Sequence, residues 1–128
     1  MYRSVENGRK MCQALGLEYF KTVDVFHHCR CYGCSFKHQD GWSITLVFCY
    51  ELMFPEFFSS LTPRFSGDTM PTDNLVRIGM NSTVLIHEAS MGDDEVEIAR
   101  RKAHSTVSQA IAIGQKSAPT FGEYLICF

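Results

Sequence analysis

The stretch Thr83-Val84-Leu85-Ile86-His87-Glu88, followed by Asp93 to Lys102 and then by Thr106 to Gly114, decides the fold class. Val84, Leu85 and Ile86 form a short continuous apolar run, the pattern of a strand buried on both faces, and the run ends in His87-Glu88. A helix is predicted next. Asp93 or Asp94 caps it, Glu95 and Glu97 lie near its positive end, and Arg100, Arg101 and Lys102 lie near its negative end. Glu97 is spaced to pair with Arg101 one turn on. His104-Ser105 interrupts this helix. Thr106-Val107-Ser108-Gln109 then has the form of a capping box, opening a second helix that Gly114 is expected to stop. Strand, helix, helix is the order of a layered α/β domain.

Upstream the signals are shorter. Residues 4–16 read as a helix, with Ser4 as cap, Val5, Met11, Cys12 and Leu15 near helical spacing, and Gly16 as the stop. Val23-Asp24-Val25-Phe26-His27-His28 reads as a strand from its β-branched and aromatic content. Gly33 predicts a turn, with Ser35 to His38 returning as a second strand. Trp42-Ser43-Ile44-Thr45 alternates apolar with polar, and Phe65-Ser66-Gly67-Asp68 continues that alternation in phase once residues 46–64 are removed. The intervening segment holds Phe48, Phe54, Phe57 and Phe58 without a clean period. It reads either as a buried loop after a strand or as an insertion that splits one.

With 128 residues the chain has room for one domain, against a norm of roughly 100–200 residues per domain. A content of 45% hydrophobic and 20% charged residues excludes a disordered or low-complexity class. A net charge of -2 argues against a surface coated with nucleic-acid-binding charge, although it leaves room for a local basic patch. Arg100-Arg101-Lys102 is explained as a solvated helix end, so RNA binding is expected to be weak and sensitive to salt. The apolar stretch Leu46 to Arg64 carries Glu51, Glu56 and Pro55 and is not expected to span a membrane. No secretory signal is visible. The six cysteines are therefore expected to be reduced thiols or metal ligands in an intracellular protein.

Three groups of residues have the types that chemistry needs. His27-His28-Cys29-Arg30-Cys31-Tyr32-Gly33-Cys34, with His38 beyond, has thiols and imidazoles at spacings that can close on a tetrahedral zinc; the competing reading is that these cysteines are small buried hydrophobes. Ser66-Gly67-Asp68-Thr69 puts a carboxylate just past a strand, where α/β folds assemble their sites, although a Gly-Asp pair also simply makes turns. His87-Glu88 together with His104-Ser105-Thr106 pairs a carboxylate with an imidazole at a helix start, the layout of a general acid/base relay. The alternative for His104 is a helix-terminus residue with a backbone partner.

Phe65-Ser66-Gly67-Asp68-Thr69-Met70-Pro71, Leu75-Val76-Arg77-Ile78-Gly79, Val84-Leu85-Ile86-His87-Glu88-Ala89 and Lys102-Ala103-His104-Ser105-Thr106, in this order, resemble tRNase Z, in particular the C-terminal half of its long eukaryotic form. Residues 12–45 resemble the preceding segment through His28-Cys29, Gly33-Cys34 and Gly41-Trp42. The resemblance implies the C-terminal half of a metallo-β-lactamase-like αββα sandwich, with residues 1–128 a partial domain and 46–64 an insertion. It implies a zinc phosphodiesterase that removes the 3′ trailer of precursor tRNA with two zinc ions. It also implies metal ligation by His28 and Asp68, proton transfer by Glu88 and His104, and a nuclear or mitochondrial location. Ser90 stands where the family commonly has threonine. The family's His-x-His-x-Asp-His motif is absent from this sequence. The zinc site is therefore expected to be incomplete and the isolated chain inactive, with a homodimer or a complementary N-terminal half as partner. The alternative is a non-catalytic zinc-binding or protein-interaction module built on the Cys29–Cys34 cluster.

Overall fold

The computed structural model describes residues 2–28, 30–49, 67–117 and 124–127. Helix α1 (Tyr2–Ala14) leads into a mixed sheet of five strands in spatial order β1-β2-β3-β4-β5. The strands are β1 (Leu17–Asp24), β2 (Cys31–His38), β3 (Ser43–Cys49), β4 (Val84–His87) and β5 (Tyr124–Cys127). The first three pair antiparallel, and β3, β4 and β5 pair parallel. Parallel neighbours need crossovers. Helix α2 (Asp73–Gly79) lies between β3 and β4, while a 3₁₀ turn (Asp93–Glu95), α3 (Val96–Lys102) and α4 (Val107–Ser117) lie between β4 and β5. No helix among the described residues is long and apolar enough to cross a membrane.

Period two sorts the sheet into two faces. One row, Phe20, Phe36, Ile44 and Val84, runs in register across four strands on one face. The opposite face meets α2 and carries the core: Val25, Cys31, Val47, Leu75, Val76, Leu85 and Ile113. Ser43 and Thr45 also point to this buried face, the reverse of the usual apolar-in pattern. They are tolerated because each is hydrogen-bonded. The backbone amide of Ser43 donates to Thr83 Oγ1 (3.0 Å), that of Thr83 donates to Ser43 Oγ (3.1 Å), and the hydroxyls of Thr45 and Ser82 lie 2.6 Å apart.

Several sequence expectations are corrected. The first strand is Leu17–Asp24 rather than Val23 to His28, because the chain leaves the sheet after Asp24, bends at His27 and His28 and re-enters at Cys31. Gly33 lies inside β2, not in a turn. A Cβ there would sit 2.7 Å from Leu75 Cδ1, so the missing side chain lets α2 seat Leu75 fully buried on the sheet. In β4 only Leu85 and His87 are buried; Val84 and Ile86 are half-buried. Gly114 is a buried position within α4, which continues to Ser117. Glu97 meets Arg100 (3.4 Å) rather than Arg101. Gly92 and Glu95 close the turn that precedes α3, and Asp93 instead caps α4, accepting from the amide (2.9 Å) and hydroxyl (2.6 Å) of Ser108. The expected capping box of α4 is present: Thr106 N donates to Gln109 Oε1 (3.0 Å) and Gln109 N to Thr106 Oγ1 (3.4 Å).

Strand β3 continues through Leu46 to Cys49, so the first residues of the segment read as an insertion are paired sheet. The rest of that segment, together with Phe65, Ser66 and Cys29, lies outside the described residues.

Candidate metal centre

Four connections deliver side chains to one end of the sheet. The segment 25–30 between β1 and β2 alternates: Val25 is buried and His27 half-buried, whereas Phe26, His28 and Arg30 are exposed. The 67–72 segment is fastened to it, because the amide of Met70 donates to Phe26 O (2.9 Å) and Thr69 Oγ1 reaches the same carbonyl (3.4 Å). The end of β4 supplies Glu88. Helix α3 ends at Ala103 in the left-handed conformation (φ 57), with the amide of His104 closing back on Ala99 O (2.9 Å), and this turn aims His104 at the same place.

Glu88 is the centre of the arrangement. It is 0% exposed. Its Oε1 accepts from the amide of Thr69 (2.9 Å) and lies 3.0 Å from His104 Nδ1; its Oε2 accepts from the amide (3.1 Å) and hydroxyl (2.7 Å) of Ser90. Burial pushes its carboxyl pKa up, but the hydrogen bonds from Ser90, Thr69 and Ser105 outweigh it and hold the pKa below the ordinary value. Glu88 is therefore an ionised, buried carboxylate. It fixes the proton of His104 on Nδ1 and leaves Nε2 as the basic nitrogen. Ser105 Oγ donates to Thr69 O (2.7 Å), which ties the loop after His104 to the loop that carries Asp68.

Beside this knot, His27, Asp68 and His104 each offer a ligand atom, and the three atoms lie within 4.8 Å of one another. His104 Nδ1 is 3.8 Å from Asp68 Oδ1, and the rings of His27 and His104 meet edge-on at 5.3 Å. Burial lowers the pKa of His27 despite the opposing pull of Asp68, which favours the neutral ring.

Of the residues singled out from sequence, Asp68, Glu88 and His104 come together. His28 does not join the group. It is exposed, its ring 5.6 Å from that of His27, which occupies the position by the site. His87 is fully buried; its Nδ1 donates to Glu88 O (2.7 Å) and burial lowers its pKa. His38 stacks on Trp42 at 4.8 Å, far along β2 from these loops.

The cysteine cluster is corrected. Cys31 and Cys34 sit three apart on β2 and so point to opposite faces, which prevents them from sharing one tetrahedral ion. Cys31 is buried in the core and disulfide-bonded, against the expectation of reduced thiols throughout; Cys34 is a free thiol whose pKa burial raises.

Known proteins resemble this chain in sequence and in fold. The chain is 38% identical over 105 residues to zinc phosphodiesterase ELAC protein 2 of Homo sapiens, which covers 82% of this chain and 10% of that protein. It is 38% identical over 114 residues to the mitochondrial ribonuclease Z of Drosophila melanogaster, covering 89% of this chain and 14% of that one. The long form of RNase Z from yeast superposes with a TM-score of 0.69 at 25% identity, over 96% of this chain and 15% of that structure.

The chain is homologous to part of tRNase Z. Human tRNase Z, short form, superposes on 79% of this chain and 34% of its own, with a TM-score of 0.56 at 21% identity, and it shares the fold. The layered α/β architecture is thus that of the metallo-β-lactamase fold of the RNase Z structures. No family model matches the chain. Zinc enters through the relatives' name, and the described residues offer it one cluster of three.

Proposed function

We propose that this chain supplies one side of a tRNase Z-type hydrolytic centre, with His27, Asp68 and His104 as donors for a single zinc ion and Glu88 behind them. The closeness of those three ligand atoms, within 4.8 Å, is the observation that carries the reading. Two imidazoles and a carboxylate are a donor set that zinc accepts, and three protein ligands leave the fourth position open. Glu88 against His104 has the form of the carboxylate that orients a metal-bound histidine. His27 takes the role that the resemblance gives to His28, because its side chain is the one turned to the site.

When bound, zinc lowers the pKa of a coordinated water and polarises a phosphoryl oxygen. In-line phosphodiester hydrolysis by two ions needs more ligands than this set provides. Precursor tRNA is the proposed substrate class of the complete centre. A complementary half supplying the remaining ligands, or a second copy, is the proposed partner. The name of the fly relative supports a mitochondrial location, whereas a nuclear one rests on the resemblance alone. By itself the chain is proposed not to cut.

Zinc content of the purified chain, measured by elemental analysis beside a precursor-tRNA cleavage assay, tests this. The expected result is about one zinc per chain, as for a three-residue donor set with one open position, its loss in Asp68→Ala, and no trailer removal. A chain that takes up no zinc, or one that removes the trailer efficiently, overturns it.

A further inference from the structure

The outer side of the β1–β2 connection is not used by the centre just described. A cavity of about 520 Å³ opens there, lined by Asp24, Val25, Arg30, Cys31 and Tyr32. Its size is that of a small-ligand site. Val25 belongs both to this wall and to the core, and His27 follows two residues later at the metal-ready group. The carbonyl of Phe26 between them accepts from the amide of Met70 (2.9 Å), which ties this connection to the segment that carries Asp68.

The lining has a definite chemistry. Arg30 is exposed, and no hydrogen bond or ion pair within the described residues engages its guanidinium. Tyr32 stands half-buried across from Asp24 in the β1–β2 register, which puts a phenol ring beside an acceptor-only carboxylate. A free guanidinium recognises a phosphate, an aromatic ring stacks on a base, and a carboxylate accepts from an exocyclic amine such as that of cytosine.

We infer that this cavity is a nucleotide subsite for single-stranded RNA, with Arg30 on a phosphate, Tyr32 on the base and Asp24 on its amine, next to the hydrolytic centre. This rests on the reading of an RNA phosphodiester as substrate and adds to it where a flanking nucleotide sits. The strip is built for a strand rather than a duplex, because stacking on Tyr32 needs an unpaired base.

Fluorescence anisotropy with fluorescein-labelled hexacytidylate RNA, on the full chain in EDTA over a range of salt, tests the subsite without any metal. Tyr32→Leu is expected to weaken binding by about fivefold or more, the low end for loss of a base stack, while Tyr32→Phe retains the parent affinity. Arg30→Gln is expected to flatten the log K against log[salt] slope by about 0.7, one phosphate contact on a single strand. Arg30 is exposed, so this variant decides the matter even if Tyr32→Leu fails to fold by far-UV circular dichroism. Unchanged affinity and salt slope in Arg30→Gln overturn the subsite. Zinc uptake by the same preparation, measured before EDTA is added, separates the two readings. RNA binding that depends on Arg30 in a chain that takes up no zinc keeps the subsite and removes the centre; zinc uptake with RNA binding indifferent to Arg30 does the opposite.

Discussion

The knot around Glu88 and the outer edge of the β1–β2 connection are neighbours built on opposite principles. At Glu88 every oxygen is occupied and nothing is exposed: Thr69, Ser90 and His104 all converge on one carboxylate. Along the outer edge, Phe26, His28 and Arg30 face solvent, and Phe26 is 58% exposed. The knot positions groups by mutual satisfaction, so removing any member strands the others. The edge is positioned only by the alternation of the backbone beneath it, and its side chains are free to meet something else. The two regions should therefore answer mutation very differently.

The largest effect is expected at Glu88. Alanine there leaves the Thr69 and Ser90 amides and the His104 Nδ1–H without their acceptor in a buried place. Each donor left without its acceptor there costs about 1–3 kcal/mol, and the loss of several at once is read by urea denaturation as a lower midpoint. Zinc affinity should fall about 10–100-fold, as when an outer-shell partner of a metal histidine is lost. A Glu88→Ala chain with the parent midpoint and zinc affinity would mean that the knot does not organise the site. Ser105→Ala is the next step down. It removes the 2.7 Å bond to Thr69 O and leaves that carbonyl unpaired, a loss of about 1–3 kcal/mol in the same denaturation experiment.

How much of this could be read from the residues alone differs along the chain in the same way. From Asp68 to Gln109 the local signals are strong, and the β4 strand, the α4 capping box and the meeting of Asp68, Glu88 and His104 agree with the structure. What failed there were ends and partners. Asp93 caps α4 rather than its own turn, because Ser108 is brought to it by the Ala103 reversal, a tertiary event that no window of sequence contains. From Leu17 to Thr45 the signals mislead. Gly33 looks like a turn but serves the close approach of Leu75, and Ser43 and Thr45 look outward-facing but are buried against Ser82 and Thr83. His27 was legible in principle. Val23, Val25 and His27 share one parity and Asp24, Phe26 and His28 the other, so period two already pointed the first histidine of the pair inward.

A smaller effect is expected from pH. Burial lowers the pKa of His87 below the ordinary imidazole value of about 6.5, so the unfolded chain binds more protons than the folded one in the window below about 6.5. The folded state is thus favoured above 6.5 and loses this contribution as the pH falls through the window. Urea midpoints at successive pH values should drop on acidification below about 6.5. His87→Gln should start lower, having lost the bond to Glu88 O, and show a flatter dependence. An equally steep drop in that variant would assign the titration to another group, with His27, whose pKa burial also lowers, as the next to test.

The smallest effect is the sharpest test of the contrast. His28 is exposed and outside the cluster, so His28→Ala should leave stability within about 0.5 kcal/mol of the parent, as surface substitutions do. It should leave zinc content unchanged as well. His27→Ala, one residue away, should abolish zinc uptake. Both variants remove the same imidazole from adjacent positions, so composition, net charge and local propensity are matched between them, and only the side of the backbone differs. If His28→Ala were the one that lost the metal, the connection would have to turn over on binding. That reversal would bring Phe26 and Arg30 inward with His28, because the three share a parity, and it would break the Met70 amide's bond to Phe26 O. Protection of the Met70 amide from hydrogen exchange, measured with and without zinc, reports on that bond directly: protection that persists on zinc addition keeps His27 as the inward ligand.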